Sequence, residues 1–347
     1  MANMNIRTPR FYTDNINYLL SRGVAQNANF DVLPTAGANG GGIQIGLQTG
    51  TEAELFDMNP LNKVDFDTSG DDDGHVIINL DLGGSFKNSF VAILNHNLKT
   101  ADGKIRISAS DTESQVANSD LSGATAMSCT EVVNAGAIST NLIIPAYDGS
   151  TIVRFTESDL QYWGIQFEGA VGGTFSSTDL FIGCILVGEY YDMPNAPDLS
   201  VKRSIIFDQV KVLESAGGQR FSNMNNHGRT ATSTSKSPFT TASNEYETYG
   251  GRIAYDLNFS YLASTDVMPT DYDTLEYTDD AFVEDVWNKT NGRHLPFIFS
   301  IDNSTGDGEG DNAESQHIFA RFAQDSLDME QVAVDVFNIS MKIEEEF

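Results

Sequence analysis

The sequence predicts a mainly β chain: an N-terminal antiparallel β-sandwich followed by a second β-rich domain with one or two short helices. Three observations carry that expectation. Apolar residues recur at every second position in short runs, the periodicity of a half-buried strand. Clusters of Gly, Asn, Asp and Ser separate the runs at fairly regular intervals, as in a sandwich of antiparallel sheets. At 347 residues the chain also exceeds the size at which one core stops growing, so two domains are expected.

Taken in order, the first 24 residues fit neither domain. "FYTDNINYLLSRG" carries Phe11, Tyr12, Ile16, Tyr18, Leu19 and Leu20, more apolar surface than a free tail should show. Such an arm folds back over its own domain or docks on a neighbouring subunit. Docking is favoured, which makes Phe11, Tyr12, Tyr18, Leu19 and Leu20 the candidate assembly residues.

Residues 25–195 read as the sandwich. "GGIQIGLQTG" places Ile43, Ile45 and Leu47 on one face, and "VIINLDLGG" is a short strand ended by a glycine pair. "FVAILNHNL" and "KIRISASD" follow, then "YWGIQFEGA" and "DLFIGCILVGEYY". His96 stands between two asparagines at a strand end, the position of a turn residue bonding to local backbone. On that reading the segment 88–111 turns the chain.

Pro194 and Pro197 in "YDMPNAPDLS" disfavour regular structure and mark the boundary to a C-terminal domain, 196–347. There "IIFDQVKVLES" reads as a strand, and 221–245, rich in Ser, Thr and Asn, as a long polar surface loop. In "GGRIAYDLNFSYLAS", Ile253, Tyr255, Leu257, Phe259 and Tyr261 share one face; in "VFNISMKIEEEF", Phe337, Ile339, Met341 and Ile343 do. "DDAFVEDVWNKTNG" is the best helix. Phe282, Val283, Val286 and Trp287 form its core side, acids sit near its start, and Asn291-Gly292 stops it.

Composition excludes several functions. Forty-nine acidic against 20 basic residues leave a net charge of −29, with no Lys/Arg cluster for nucleic acid. The acidity draws cations and suits a salty or extracellular medium. No signal peptide is visible near the N-terminus, and no apolar run approaches the ~20 residues that cross a bilayer. Production in a cytoplasm without membrane insertion is the expectation. Cys129 and Cys184 form no C-x-x-C pair and read as inert buried thiols.

Catalytic motifs are missing. The five histidines form no H-E-x-x-H, no G-x-S-x-G elbow precedes a helix, and Gly40 to Gly42 leads into a strand without the Lys a phosphate loop needs. The chain is therefore expected not to be an enzyme and to need no cofactor. One acidic cluster is sharper. "DFDTSGDDDGH" alternates Asp65, Asp67 and Ser69 before Gly70, Asp71 and Asp73, the oxygen spacing of a calcium loop. Val76 stands where the bidentate Glu belongs, so a solvated acidic hairpin tip is the competing reading.

"NIRTPRFYTDNINYLLSRG", "VAILNHNL" with "IRISASD", and the closing segments "GGRIAYDLNFSYLAS", "WNKTNGRHLPFIFSID" and "FARFAQDSLDMEQVAVDVFNISMKIEE" resemble virion structural proteins of tailed bacteriophages, particularly those of marine hosts. The resemblance touches about half of the chain through strand patterns alone. It implies a discoidin-like, jelly-roll-like sandwich. It also implies a structural role in the tail tip or baseplate, in contact with other copies and other virion proteins, and a place in the virion, made in the host cytoplasm and released by lysis. The alternatives are a head or neck decoration protein, or a carbohydrate-binding module that recognises a host-surface glycan. For the last, Tyr162, Trp163 and the pair Tyr190-Tyr191 are the aromatic candidates, with core packing as their competing role.

Overall fold

Alternation sorts the side chains of each strand onto two faces, and in the computed structural model those faces build a mainly β molecule of antiparallel sheets. The structure describes residues 7–346 apart from 25–30, 33–42, 45, 70–73, 117–120, 122, 135, 140, 170–173, 208–209, 225–238, 240–250, 271–279 and 304–315. Among the described residues no helix is long and apolar enough to cross a membrane.

The chain opens with β1 (Arg10–Asp14) and the helix α1 (Asn15–Ser21). The N-terminal half then supplies β2 (Gly74–Asp81), β3 (Asn88–His96), β4 (Gly103–Ser110), β5 (Thr130–Val133), β6 (Gly149–Ser158), β7 (Tyr162–Gly169) and β8 (Cys184–Asp192). The C-terminal half supplies β9 (Lys202–Ile206), β10 (Val210–Glu214), β11 (Arg220–Met224) and β12 (Arg252–Ala263). It closes with the helical turn α2 (Val283–Asn288), β13 (Phe297–Ser300), β14 (His317–Phe322), β15 (Met329–Ala333) and β16 (Val336–Glu345).

One 11-stranded sheet runs β5-β6-β3-β8-β1-β13-β14-β16-β12-β9, with β15 beside β16. A second, eight-stranded sheet centres on β4-β7-β2. The two face each other over the N-terminal half. Val91, Ile93, Val153, Ile185 and Val187 from one layer meet Ile78, Leu80, Ile105, Ile107, Ile165 and Phe167 from the other. Over the C-terminal half the same face of the large sheet is covered by Phe282 and Val286 of the α2 segment, packed on Phe11, Phe297, Phe299 and Phe322. Trp287 is half-buried against Phe322, ring centroids 5.0 Å apart. Asn291 and Gly292 both take positive φ and end the helical turn as their sequence suggests. The opposite face of the large sheet buries Tyr12, Phe90, Leu94, Leu186, Ile298 and Phe319.

Three expectations need correction. First, the N-terminal segment is not an arm reaching for a sister subunit. β1 lies inside the sheet, paired with β8 along its whole length and with β13 on its other side. Phe11, Tyr12, Tyr18 and Leu19 are at most 1% exposed, and Leu20 packs half-buried on the same core. The apolar surface that argued for docking is satisfied within the chain. Second, the polar segment 221–245 does not begin as a loop: Arg220–Met224 pairs with Val210–Glu214, and Phe239 is buried beside His317. "IIFDQVKVLES" accordingly supplies two strands, β9 and β10. Residues 225–238 and 240–245 lie outside the described residues. Third, Tyr261 leaves the face it was assigned to. A bulge between Phe259 and Leu262 sends Leu262 inward and Tyr261 out to 77% exposure, at φ 60°.

Residue 196 falls between β8 and β9, and the large sheet continues across that point because β1 pairs with strands from both halves. The pairing leaves no room for a side chain at Gly188, where a Cβ would lie 1.9 Å from the Thr13 carbonyl oxygen. Gly188→Ala is therefore expected to displace β1 and to cost more stability than Phe11→Ala. The latter removes a fully buried ring, for which about 3–5 kcal/mol is typical. Denaturant titration of both variants checks the order.

Candidate interaction surface

Extended backbone that folds out of the sheet must either find a partner or hide its apolar residues. After β9, the terminal strand of the large sheet, β10 and β11 form a separate two-stranded hairpin closed by a turn at Ser215–Gln219, with Gly218 at φ 80°. Glu214 and Arg220 pair across its end at 3.1 Å. Every residue of β10 is exposed, as are the first four of β11. Val212, Leu213 and Phe221 are 58%, 69% and 55% exposed, and Ile205 and Phe207 at the root are also open. Leu213 and Phe221 are cross-strand partners on one face of the hairpin and Val212 lies on the other, and exposed apolar surface of this kind marks an interaction site. Segment 201–224 holds four Lys/Arg against two acids, in a chain of net charge −29.

A second apolar feature lies at the far end of β12. Tyr261 projects from its bulge, its N–H donating to Asn338 Oδ1 at 3.1 Å, and Val332 and Val334 stand exposed where β15 turns into β16. Asp328, Glu330 and Asp335 surround them, all exposed. The segment 323–337 holds four acids and no Lys or Arg.

Neither surface was identified by the sequence reading. The alternation of Val210 and Val212, the Gly217-Gly218 turn and Phe221 beyond it were the available signals for the hairpin. Its exposure had no signal in the strand pattern.

The glycan candidates are occupied by the fold. Trp163 is 0% exposed, donates from Nε1 to the Leu160 carbonyl at 2.8 Å and packs on Phe155. Tyr162 is half-buried beside Val116 and Leu121. Arg10 lies over the Tyr190 ring at 4.2 Å, and Tyr191 is buried with its hydroxyl donating to the Asp266 carbonyl at 3.0 Å.

His96 ends β3 buried. The Thr151 hydroxyl donates to the Asn134 carbonyl at 3.1 Å, and His96 Nδ1 accepts from Leu98 N–H at 3.2 Å. Nε2 must then carry the proton and donate to Thr151 Oγ1, 2.9 Å away. Burial pushes its pKa down to about 3, so it is a neutral, enclosed structural group. Cys129 and Cys184 are free, half-buried and buried respectively, and burial raises both thiols.

Asp65 lies on the short strand Val64–Phe66, and Asp67 is exposed just beyond it. Ser69 donates its N–H to Asp179 at 2.9 Å. Asp71 and Asp73 lie outside the described residues. Among the described residues no three His, Cys, Asp or Glu side chains converge as a metal site requires.

A shallow groove of about 330 Å³ crosses the outer face of β12 and β16, lined by Lys202, Asp256, Asn258, Gln324, Ser340 and Lys342. Its polar groups engage one another. Ser340 Oγ donates to Asn258 Oδ1 at 2.7 Å, and Gln324 Oε1 accepts from Lys342 N–H at 2.8 Å.

No family model matches the chain, and no curated protein matches its sequence. Among solved structures, chitosan-binding module 1 of a chitosanase/glucanase from Paenibacillus sp. IK-5 is 16% identical, over 40% of this chain and 83% of that one, with a TM-score of 0.27. The CBM32 of AlyQ in complex with 4,5-unsaturated mannuronic acid is 12% identical over 46% and 96%, TM-score 0.26. CBM32-1 from a family 31 glycoside hydrolase of Clostridium perfringens is 11% identical over 42% and 94%, TM-score 0.26. At these identities and scores the likeness carries no argument about function.

The seam between the halves buries charge that responds to pH. Asp14 caps α1, accepting N–H bonds from Asn17 at 2.8 Å and Val187 at 3.2 Å. Burial outweighs these bonds and raises its pKa from 3.8 to about 6. Asp285, held 3.7 Å from Lys289, is raised by burial too. A carboxyl with a raised folded pKa binds its proton more tightly in the folded state. Its contribution is largest below the unfolded pKa and is lost as pH rises through the folded one. For Asp14 that window is pH 4 to 6. The urea midpoint is expected to fall across it, with Asp14→Asn flattening the slope.

Proposed function

We propose that this chain is a non-enzymatic structural subunit of a tailed bacteriophage virion, seated in the tail tip or baseplate and working by holding neighbouring proteins in place. The observation that supports an assembly role is the β10–β11 hairpin, whose apolar residues no described residue of the chain covers. An isolated hairpin of two strands is marginal in water. A docked hairpin is ordered by its partner, and burial of Val212, Leu213 and Phe221 offsets the ordering entropy. The sheet behind it suits a building block, because ladders on both edges of β1 join the two halves into one continuous layer. The virion assignment itself rests on the sequence resemblance.

Glycan recognition is the second reading, favoured by the polar groove over β12 and β16. The groove offers no aromatic platform, and its side chains bond to one another, so it ranks below assembly.

Antibody labelling of particles from lysed cultures tests the assignment. Label on the tail end of intact particles is expected, together with silence on an array of host-surface glycans. Label absent from particles, with a glycan bound and the binding lost in Asn258→Ala, would replace assembly by recognition.

A further inference from the structure

The hairpin and the Tyr261 end lie at opposite ends of one strand and have complementary chemistry. β9 pairs with the start of β12 through Ile206 and Arg252, so the hairpin projects from that end. Tyr261 lies nine residues further along, about 30 Å at a strand's rise per residue. One end presents an apolar hairpin whose Lys211 and Arg220 outnumber its single acid, Glu214; the other presents apolar residues within an acidic rim. The rest of the molecule is acidic and repels itself, so the basic hairpin is the segment best suited to approach it.

We propose that the hairpin of one copy docks on the Tyr261–Val332–Val334 end of a second copy of this chain, a head-to-tail contact that can repeat from copy to copy. Two further observations support it. Tyr261 is held at φ 60°, a conformation that costs energy in a bulky residue, and the result is an aromatic ring placed in solvent. Lys211 and Arg220 flank the apolar residues of the hairpin, as Asp328, Glu330 and Asp335 flank the exposed valines. The two patches differ from each other, so the contact is heterologous. A growing chain of copies always keeps one free hairpin at one terminus and one free Tyr261 end at the other.

This inference rests on the assembly reading and names its partner. Two variants separate the two ideas. Leu213→Glu with Phe221→Glu spoils the hairpin, both residues being exposed. Tyr261→Gly with Val334→Lys spoils the other end, and glycine accepts the positive φ. Sedimentation velocity at rising concentration should show wild-type protein assembling beyond the monomer and each variant alone staying monomeric. Mixed one to one, the variants should form dimers that go no further, because the mixture holds only one competent pairing. Wild-type protein that stays monomeric throughout, or a Tyr261→Gly/Val334→Lys variant that assembles like wild type, overturns the proposal. In either case the assembly reading survives if the hairpin variant, expressed during infection in place of the wild type, is lost from particles. It falls as well if that variant is incorporated normally.

Discussion

Pairing of Arg10–Asp14 with one strand from each half of the chain is the contact on which the rest of the structure depends. β8 completes the N-terminal sandwich, and β13 begins the C-terminal sheet. Neither reaches the other without β1 between them. The inserted strand fills both faces at once. Phe11 joins the aromatic cluster under α2, while Tyr12 packs on Phe90 at 5.0 Å on the opposite side. Backbone ladders on both edges then convert two β units into one continuous layer.

Charge fixes the register of that strand. Arg10 grips Asp192 with two bonds of 2.7 Å while its guanidinium lies over Tyr190. Across the same seam Lys289 reaches Glu189 at 2.6 Å, and Thr13 donates to the Asp285 carbonyl at 3.0 Å. Ion pairs of this kind add little net stability over an apolar packing, but a slip of β1 by one residue would take the buried Arg10 guanidinium away from Asp192 at high cost. The seam is therefore specified by its charges and stabilised by its rings. Phe11, Phe282, Phe297, Phe299 and Phe322 meet there with centroid separations of 4.7–6.4 Å.

Much of this was legible in sequence wherever one face of a strand is wet. The alternation of Tyr255, Leu257 and Phe259, and of Ile339, Met341 and Ile343, translates directly into the buried row beneath them. Asn291-Gly292 ends the helical turn in the way its residues demand. Placement was less legible. The apolar pattern of residues 11–20 is the same whether it is covered by its own chain or by another copy, so periodicity could not choose between them. Alternation also failed at Tyr261, because a bulge is set by how β16 and the turn at Asp335 meet β12, a tertiary constraint with no local signature. The hairpin was read as part of a strand and a loop for a similar reason. Its residues look like core, and only the folded chain reveals that nothing in the described structure covers them.

The same distinction explains how the surface divides its labour. Burying the N-terminal strand internally uses the apolar side chains of residues 11–20 within the chain's own core. Apart from Leu199, the large apolar residues left exposed among the described residues cluster at the two ends of one strand, one end bordered by Lys211 and Arg220 and the other by acids. A chain of net charge −29 resists close approach to its own kind, and salt screens that resistance over the distance of a Debye length. Screening weakens the attraction of Lys211 and Arg220 for an acidic rim by the same physics, so charge alone cannot hold such a contact in a salty medium. Apolar contact persists there, strengthened where the salt is one excluded from protein surfaces. Valine, leucine, phenylalanine and tyrosine at the centres of both patches, with charges at their margins, fit that division: the charges select and orient the partner, and the apolar residues hold it.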